Sequence, residues 1–290
     1  MPFVDRTREL GRFRRMLAGQ TDERILLILE QAEKGKTCFL MKLFDECEQQ
    51  RPTLPVVLLD FDQRRSGLND YLSIAREVRR CLGDKCTPAI CACEDEMYRR
   101  GPLVSIRTAE GEAGVDFGQG GRFRQAQIEH VAGRDFIQVG PVSEAPPTAD
   151  RIARQMDDMG RALCRDLAGL AAYRAVLLID TFEQAPEDTC RWLERWLFQP
   201  LRRELRHVLL VVAGRPECRP FFDQPRPWSG LVASIDRFDP FSDDEILTYY
   251  RQRGLSVFPN EVSLLQIARL SPAVMAQLGD QLEQARRGAL

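Results

Sequence analysis

Short apolar runs alternate along this chain with longer stretches in which apolar residues recur every three or four positions. The predicted strands are Ile25–Leu29, Pro55–Phe61, Arg174–Asp180, His207–Arg215 and Val232–Phe238. The predicted helices between them include Cys38–Glu48, Leu68–Leu82, Ala149–Leu170 and Cys190–Leu205. Near-continuous apolar strands are typical of sheets covered on both faces, and alternating helices provide that cover. The pattern therefore predicts an α/β core in which a parallel sheet is flanked by helices.

One segment, residues 84–148, departs from this pattern. It contains Gly-Pro, Gly-Gln-Gly-Gly and Pro-Pro breakers, and the alternating stretches between them predict hairpin strands at Leu103–Arg107, Phe123–Val131 and Asp135–Val139. We interpret it as a β-rich insertion that divides the core into residues 1–83 and 149–238. Two roles stay open for it, partner binding and a tolerated surface insertion. Beyond the core, Ser242 to Glu245 form a capping box, and residues 239–290 are predicted to form a helical subdomain.

The charge balance narrows the classes of function. The chain has 290 residues, with 41 basic and 43 acidic side chains and a net charge of −2. This balance provides no general attraction to nucleic acid or to an anionic membrane surface. No apolar run approaches the roughly 20 residues that a membrane-spanning helix needs. The first residues lack the basic and apolar regions of a signal peptide, so the expected location is the cytoplasm.

The most informative motif is Gly35-Lys36-Thr37, between the first predicted strand and a predicted helix. Strand, five-residue loop, Gly-Lys-Thr and helix is the layout of a P-loop, in which backbone N–H groups surround a phosphate at a helix N-terminus. In such a loop Lys36 reaches the β- and γ-phosphates, and the Thr37 hydroxyl binds Mg²⁺. Gly35 and Cys38 flank these two residues and complete the predicted phosphate-binding set.

The loop also departs from the usual G-x-x-x-x-G-K-[ST] pattern. Glu30 stands at the first glycine position, and Glu33 adds a second carboxylate. Glycine lets such a loop curl without steric cost. A carboxylate about 4 Å from a phosphate oxygen costs roughly 4 kcal/mol at an effective dielectric constant near 20. The degenerate motif therefore indicates P-loop ancestry more strongly than it indicates ATP hydrolysis.

Three further residues complete a candidate catalytic set. Asp180 ends a predicted parallel strand, at the edge of the sheet where ligands bind. In P-loop proteins this is the Walker B position, whose carboxylate binds Mg²⁺. Glu183 follows closely and can orient an attacking water, and Arg215 ends the next predicted strand, where a cation can sense a γ-phosphate. The predicted catalytic residues are thus Asp180, Glu183 and Arg215, with Thr37 and Asp180 as the Mg²⁺ ligands.

Together these motifs resemble the STAND branch of the AAA+-related P-loop NTPases, a class of signal-transduction switches. The resemblance covers about residues 3–83 and 149–290. It extends to Phe3-Val4-Asp5-Arg6, which is similar to the family's entry motif, and to Pro272, which matches the proline of its G-x-P segment. The resemblance implies that Val4 and Arg6 lie beside the adenine and phosphates. It also implies that Pro272 packs on the adenine and that residues 239–290 form a helical lid.

The resemblance implies a regulatory switch that binds ATP or ADP with Mg²⁺ and hydrolyses it weakly or not at all. Its partner is expected to be a protein effector or an oligomerisation partner, as in the inactive STAND modules of bacterial defence systems. The alternative is a catalytically dead scaffold that acts only through protein–protein contacts. A DNA-binding AAA+ protein of the replication-initiator type is a third hypothesis, which the charge balance disfavours.

Four of the nine cysteines are clustered, and they pose a separate question. Cys81, Cys86, Cys91 and Cys93 are separated by gaps of four, four and one residues. Structural zinc sites usually contain two paired C-x₂₋₄-C knuckles; the gaps of four fall within this range, but the one-residue gap between Cys91 and Cys93 does not, so two such pairs are not present. The sequence leaves three interpretations open: a zinc site, a redox role, or unrelated reduced thiols.

Overall fold

The computed structural model describes residues 6–50, 53–62, 68–99, 104–109, 112–117, 121–123, 149–172, 174–223, 226, 228–255 and 272–287. The strands are β1 (Ile25–Leu29), β2 (Val56–Asp60), β3 (Val104–Ala109), β4 (Glu112–Phe117), β5 (Gly121–Phe123), β6 (Ala175–Asp180), β7 (Val208–Gly214) and β8 (Val232–Ile235). The helices are α1 (Thr7–Leu17), α2 (Lys36–Gln49), α3 (Tyr71–Leu82), α4 (Pro88–Arg99), α5 (Ala149–Gly169), α6 (Glu187–Leu193), α7 (Arg219–Asp223), α8 (Asp243–Gln252) and α9 (Pro272–Arg287).

The core is a five-stranded sheet in the order β2-β6-β7-β1-β8, and each neighbouring pair is parallel. All residues of β1, β6 and β7 are buried, which explains their near-continuous apolar sequences. Helices α1 and α2 pack on one face of the sheet, and α3 to α6 pack on the other. The predicted fold class, a parallel sheet flanked by helices, is confirmed.

The second sheet lies in the predicted insertion. Strands β3, β4 and β5 form an antiparallel sheet in that order, with Val104 opposite Phe117 and Val115 opposite Phe123. The strand predicted at Leu103–Arg107 corresponds to β3. The strand at β4 was not predicted, and those at Phe123–Val131 and Asp135–Val139 lie almost entirely outside the described residues.

The first part of the predicted insertion is helical rather than β-rich. Asp84–Cys86 form a 3₁₀ turn, and α4 follows with Pro88 at its first position, where a missing N–H has no cost. Ile90 of α4 is fully buried in the core beside α5. Glu94, also buried, accepts hydrogen bonds from Arg76 Nε (2.7 Å) and Arg79 Nη1 (2.6 Å) of α3. In the structure, therefore, α4 packs as part of the core.

Asp166 of α5 provides a cap for α4 from outside that helix. Its carboxylate accepts the N–H groups of Ala89 (2.9 Å) and Ile90 (2.8 Å), two of the donors that a helix N-terminus leaves unpaired. We expect Asp166→Ala to lower the free energy of unfolding by about 2 kcal/mol, measured by urea denaturation. Asp150→Ala, an exposed change on the same helix, is the control and should leave stability nearly unchanged. Equal stability of the two variants would contradict the capping role.

The helix predicted at Cys190–Leu205 is less regular than expected. After α6 the chain passes through a π-helical turn, Glu194–Phe198, and a 3₁₀ turn, Gln199–Arg202. Pro200 supplies no N–H, which interrupts α-helical hydrogen bonding at this point. The irregular turns still bury Leu197 and Phe198 in the core.

In the segment predicted to form a helical subdomain, the structure describes α8 and α9, which pack on each other. The predicted capping box is confirmed: the Ser242 hydroxyl accepts the Glu245 N–H, and the Glu245 carboxylate accepts the Ser242 N–H. Arg253, just after α8, joins the two helices through bonds to Glu283 (2.9 Å), Asp280 (2.7 Å) and the Ala276 carbonyl (3.2 Å). Within the described parts of the chain, no helix combines the length and apolar character needed to cross a bilayer.

Candidate functional site

The site is built around the loop between β1 and α2, which we call the phosphate loop (Glu30–Thr37). Two of its residues have left-handed backbones, Glu33 with φ 63° and Gly35 with φ 87°. The loop therefore curls tightly although only one of its residues is glycine. Lys36 is buried, and its ammonium donates to the carbonyl oxygens of Glu30 (2.5 Å) and Gln31 (2.8 Å). In this state Lys36 closes the loop on itself.

Thr37 and Asp180 meet at the carboxyl end of the sheet. The Thr37 hydroxyl lies near enough to the Asp180 carboxylate to favour its charged form, and Asp180 Oδ1 accepts the Thr181 N–H at 2.9 Å. Asp180 is only 3% exposed. Burial raises the pKa of its carboxyl, and the negative charge of Asp60 acts in the same direction. The two predicted Mg²⁺ ligands are thus neighbours at this edge of the sheet.

These oxygen donors suit Mg²⁺ bound together with a nucleotide. Mg²⁺ usually takes one or two protein carboxylates and completes its shell with phosphate oxygens and water. Among the described residues, no group of three or more His, Cys, Asp or Glu side chains is arranged to bind a metal by itself. Thr37 and Asp180 would hold the ion, and the ion would neutralise phosphate charge.

The clustered cysteines likewise form no metal-binding group among the described residues. All nine cysteines of the chain are free, and Cys81, Cys86, Cys91 and Cys93 lie within the described residues without forming a metal-binding group. Cys81 is half-buried, and burial raises the pKa of its thiol. The structure therefore gives no support to the zinc interpretation.

Glu183 and Arg215 form an ion pair beside the loop. Arg215 Nε lies 3.0 Å from Glu183 Oε1, and the Arg215 N–H donates to Glu183 Oε2 at 3.2 Å. The negative charges of Glu183 and Asp180 both act on the Lys36 ammonium, whose pKa burial nevertheless lowers. The structure thus gathers Lys36, Thr37, Asp180, Glu183 and Arg215 in one place, but the carboxylate predicted to orient water is bound by the predicted sensor.

The other residues predicted to bind nucleotide differ in burial and in whether the structure describes them. Arg6 is buried and lies over the rings of Phe238 and Phe241, at 4.0 and 4.6 Å from their centroids. Cys38 is exposed on α2. Val4 lies outside the described residues. Arg6 therefore contacts the segment between β8 and α8.

Pro272 begins α9 and lies directly over the phosphate loop. A Cβ atom added to Gly35 would come within 2.8 Å of Pro272 Cγ. The predicted lid segment is therefore in contact with the residue before Lys36. The sequence provides the proline and the glycine, but their contact spans more than 230 positions and emerges only in the fold.

This contact makes Gly35→Ala informative. The substitution adds a Cβ against Pro272 at a left-handed position that costs L-residues roughly 1–2 kcal/mol. We expect lower stability, by about 2 kcal/mol or more, and faster hydrogen exchange in α9. Gly254→Ala is the control, since Gly254 also has positive φ (72°) but open space around its Cβ position. Equal exchange of α9 in both variants would show that the Pro272 contact is unimportant.

Asp60 is a site residue that the sequence analysis missed. It ends β2 opposite Asp180 in the parallel register of β2 and β6. Its Oδ1 accepts the Thr181 hydroxyl (3.3 Å) and the Asp62 N–H (2.9 Å). The available signal was an apolar strand that ends in aspartate, the same signal that identified Asp180. A second carboxylate therefore borders the predicted Mg²⁺ position.

The architecture is similar to that of several solved structures. The chain is similar over 99% of its length to the Walker-type ATPase PABY2304 of Pyrococcus abyssi, at 15% identity and a TM-score of 0.50, covering 69% of that chain. The fold is that of a P-loop NTPase. Lower scores relate it to Cdc6p of Pyrobaculum aerophilum (14% identity, TM-score 0.45, 87% of this chain and 50% of that one). The ORC1 protein of Aeropyrum pernix, solved in complex with DNA, has 14% identity and a TM-score of 0.49, and the match covers 99% of this chain and 61% of that one. No protein-family model and no curated protein matches the sequence.

Proposed function

We propose that this chain is a nucleotide-responsive switch of the STAND class, which binds ATP or ADP with Mg²⁺ and turns it over slowly or not at all. The observation that carries the proposal is the junction at the phosphate loop. Thr37 lies near the Walker B carboxylate, while Pro272 of the lid lies on Gly35. A ligand in this loop therefore contacts both the core and the lid, and its binding energy can select one lid position.

Slow turnover follows from the partners of Glu183. A residue that orients water needs a free carboxylate oxygen near the reacting phosphate. Here Glu183 accepts both the guanidinium and the backbone N–H of Arg215. Turnover requires this ion pair to open, because Glu183 must leave Arg215 before it can orient a water molecule, whereas nucleotide binding does not require that step. We therefore expect nucleotide binding to be much easier to detect than hydrolysis.

A catalytically dead scaffold is the second candidate. It is favoured by the Lys36 ammonium, which already has two carbonyl partners within the loop. In the scaffold hypothesis this arrangement is permanent, and the fold only presents surfaces to a protein partner. In the switch hypothesis, a phosphate displaces the carbonyl oxygens from Lys36.

Calorimetry with ATP, ADP and GTP, each with Mg²⁺ and with EDTA, distinguishes the two. The switch predicts micromolar, Mg²⁺-dependent binding of an adenine nucleotide and a change of oligomeric size or partner binding on addition of ATP. Co-purified nucleotide, released by denaturing the protein, would support the same conclusion. A folded chain that binds none of the nucleotides at millimolar concentration would overturn the switch and leave the scaffold.

A further inference from the structure

The position of Glu30 suggests a role that glycine, the usual residue at this place in the motif, cannot have. Glu30 is the first residue of the phosphate loop and is 9% exposed. Its Oε1 accepts the N–H of Gln31 at 2.8 Å, and its Oε2 accepts the N–H of Phe238 at 3.0 Å. A buried carboxylate with two backbone donors is well stabilised, because hydrogen bonds to charged groups are the stronger ones. Both oxygens of Glu30 therefore have specific backbone partners.

Phe238 lies in the segment between β8 and α8, which leads into the lid. Its ring packs edge-to-face on Phe39 of α2, with centroids 5.6 Å apart. Arg6 also contacts this segment: its guanidinium stacks over the rings of Phe238 and Phe241. Its Nη1 donates a hydrogen bond to the Asp239 carbonyl at 2.9 Å. Backbone and side chains of this segment are thus attached to the core at several points, and the attachment through Glu30 comes from the phosphate loop.

The phosphate loop consequently meets the lid at both of its ends. Glu30, at the start, binds the segment that precedes α8, and Gly35, near the end, contacts Pro272 of α9. The Gln31 N–H, a donor of the loop itself, is occupied by the Glu30 carboxylate rather than pointing to a free anion site. A phosphate that recruits loop N–H groups must compete with this carboxylate. Rearrangement of the loop therefore acts directly on the Phe238 hydrogen bond.

We propose that Glu30 is a clasp: its carboxylate fastens the lid-leading segment to the phosphate loop and transmits the state of the loop to the lid. Glu30 is thus a positioning residue that couples the two parts. The coupling to nucleotide rests on the proposed function, whereas the clasp in the ligand-free chain does not. The clasp also gives a physical reason for a carboxylate at a position that glycine usually occupies.

The test is amide hydrogen exchange in peptides that cover Phe238 to Gln252, on the full ligand-free chain. Glu30→Gln removes the charge and leaves one acceptor oxygen for the two N–H donors, those of Gln31 and Phe238, whereas Glu30→Asp keeps the charge but is one methylene too short. We expect both to exchange about tenfold or more faster at Phe238, the factor that loss of one charged hydrogen bond produces. Glu33→Gln, which removes the same charge from an exposed position of the same loop, should exchange like the wild type.

The outcomes separate this inference from the proposed function. Wild-type exchange at Phe238 in both Glu30 variants overturns the clasp, whether or not nucleotide binds. If Mg²⁺–ATP binds to the wild type and leaves exchange at Phe238 unchanged, the clasp does not transmit and the proposal is wrong. If the Glu30 variants exchange faster but no nucleotide binds at millimolar concentration, the clasp stands as a fixed fastening and the switch function fails. Changed exchange on nucleotide binding in the wild type supports both.

Discussion

Replacement of Lys36 by alanine should weaken binding of Mg²⁺–ATP by about 100-fold, the factor that corresponds to one charge-assisted contact of about 3 kcal/mol. Lys36 is buried at the base of the loop, close enough to Asp180 and Glu183 for their charges to act on its ammonium. A bound phosphate would exchange the Glu30 and Gln31 carbonyls for a stronger, anionic acceptor. The measurement is calorimetric titration of wild type and variant with ATP and Mg²⁺.

The variant also needs a stability control, because Lys36 closes the ligand-free loop. Lys36→Met keeps most of the apolar stem and removes only the charge, so it separates loop packing from phosphate attraction. Lys42→Ala, a change on the same helix, should bind ATP like the wild type. If Lys36→Ala and Lys42→Ala bind equally well, nucleotide does not occupy the phosphate loop.

Replacement of Asp180 by asparagine should have opposite effects on the fold and on the ligand. Burial raises the pKa of Asp180, helped by Asp60, so its charged form is unfavourable in the ligand-free chain. Asparagine removes this charge, and its one amide oxygen can still accept the Thr181 N–H. We expect a higher Tm at neutral pH and loss of Mg²⁺-dependent nucleotide binding. Differential scanning calorimetry with and without Mg²⁺–ATP measures both.

The raised pKa of Asp180 also predicts how the difference in Tm between Asp180→Asn and the wild type changes with pH. A raised pKa in the folded state means that the folded chain binds the proton more tightly than the unfolded chain. The contribution of Asp180 is therefore most favourable below its unfolded pKa and declines as the pH rises through the folded pKa. The Tm advantage of Asp180→Asn should accordingly grow with pH in this window. A variant that is less stable than wild type at neutral pH would show that the Asp180 charge stabilises the ligand-free fold.

The sequence predicted the sheet and its carboxyl-end residues well, because both depend on local patterns. Apolar runs identified β1, β6 and β7, and their terminal residues pointed to Asp180 and Arg215. Asp60 was missed because its strand was predicted to continue to the apolar Phe61, whereas β2 ends at Asp60. The helix α4 was missed because it lies in a segment whose breakers, beginning with Gly-Pro at 101–102, suggested irregular structure. Its cap also comes from far along the chain: Asp166 accepts the N–H of Ile90, 76 positions earlier.

Glu30 shows what local reasoning cannot supply. From the sequence its carboxylate is a defect, a negative charge where phosphate is expected. In the structure that carboxylate accepts the N–H of Phe238, 208 positions later. The electrostatic cost assumed a group directed at the ligand, and the direction of a side chain depends on partners that only the tertiary fold brings near. The roles of Val4 and of the segments outside the described residues stay predictions.

The strand order has a consequence for biosynthesis. The two strands that β1 pairs with, β7 and β8, begin at Val208 and Val232, whereas β1 ends at Leu29. As the ribosome releases the chain from its N-terminus, β1 and the phosphate loop emerge long before either partner. Pairing of such distant segments closes a large loop and is therefore late. The candidate site can be assembled only after nearly the whole core has left the ribosome, so a chain arrested before β7 contains the Gly-Lys-Thr motif without either of the strands that hold β1 in the sheet.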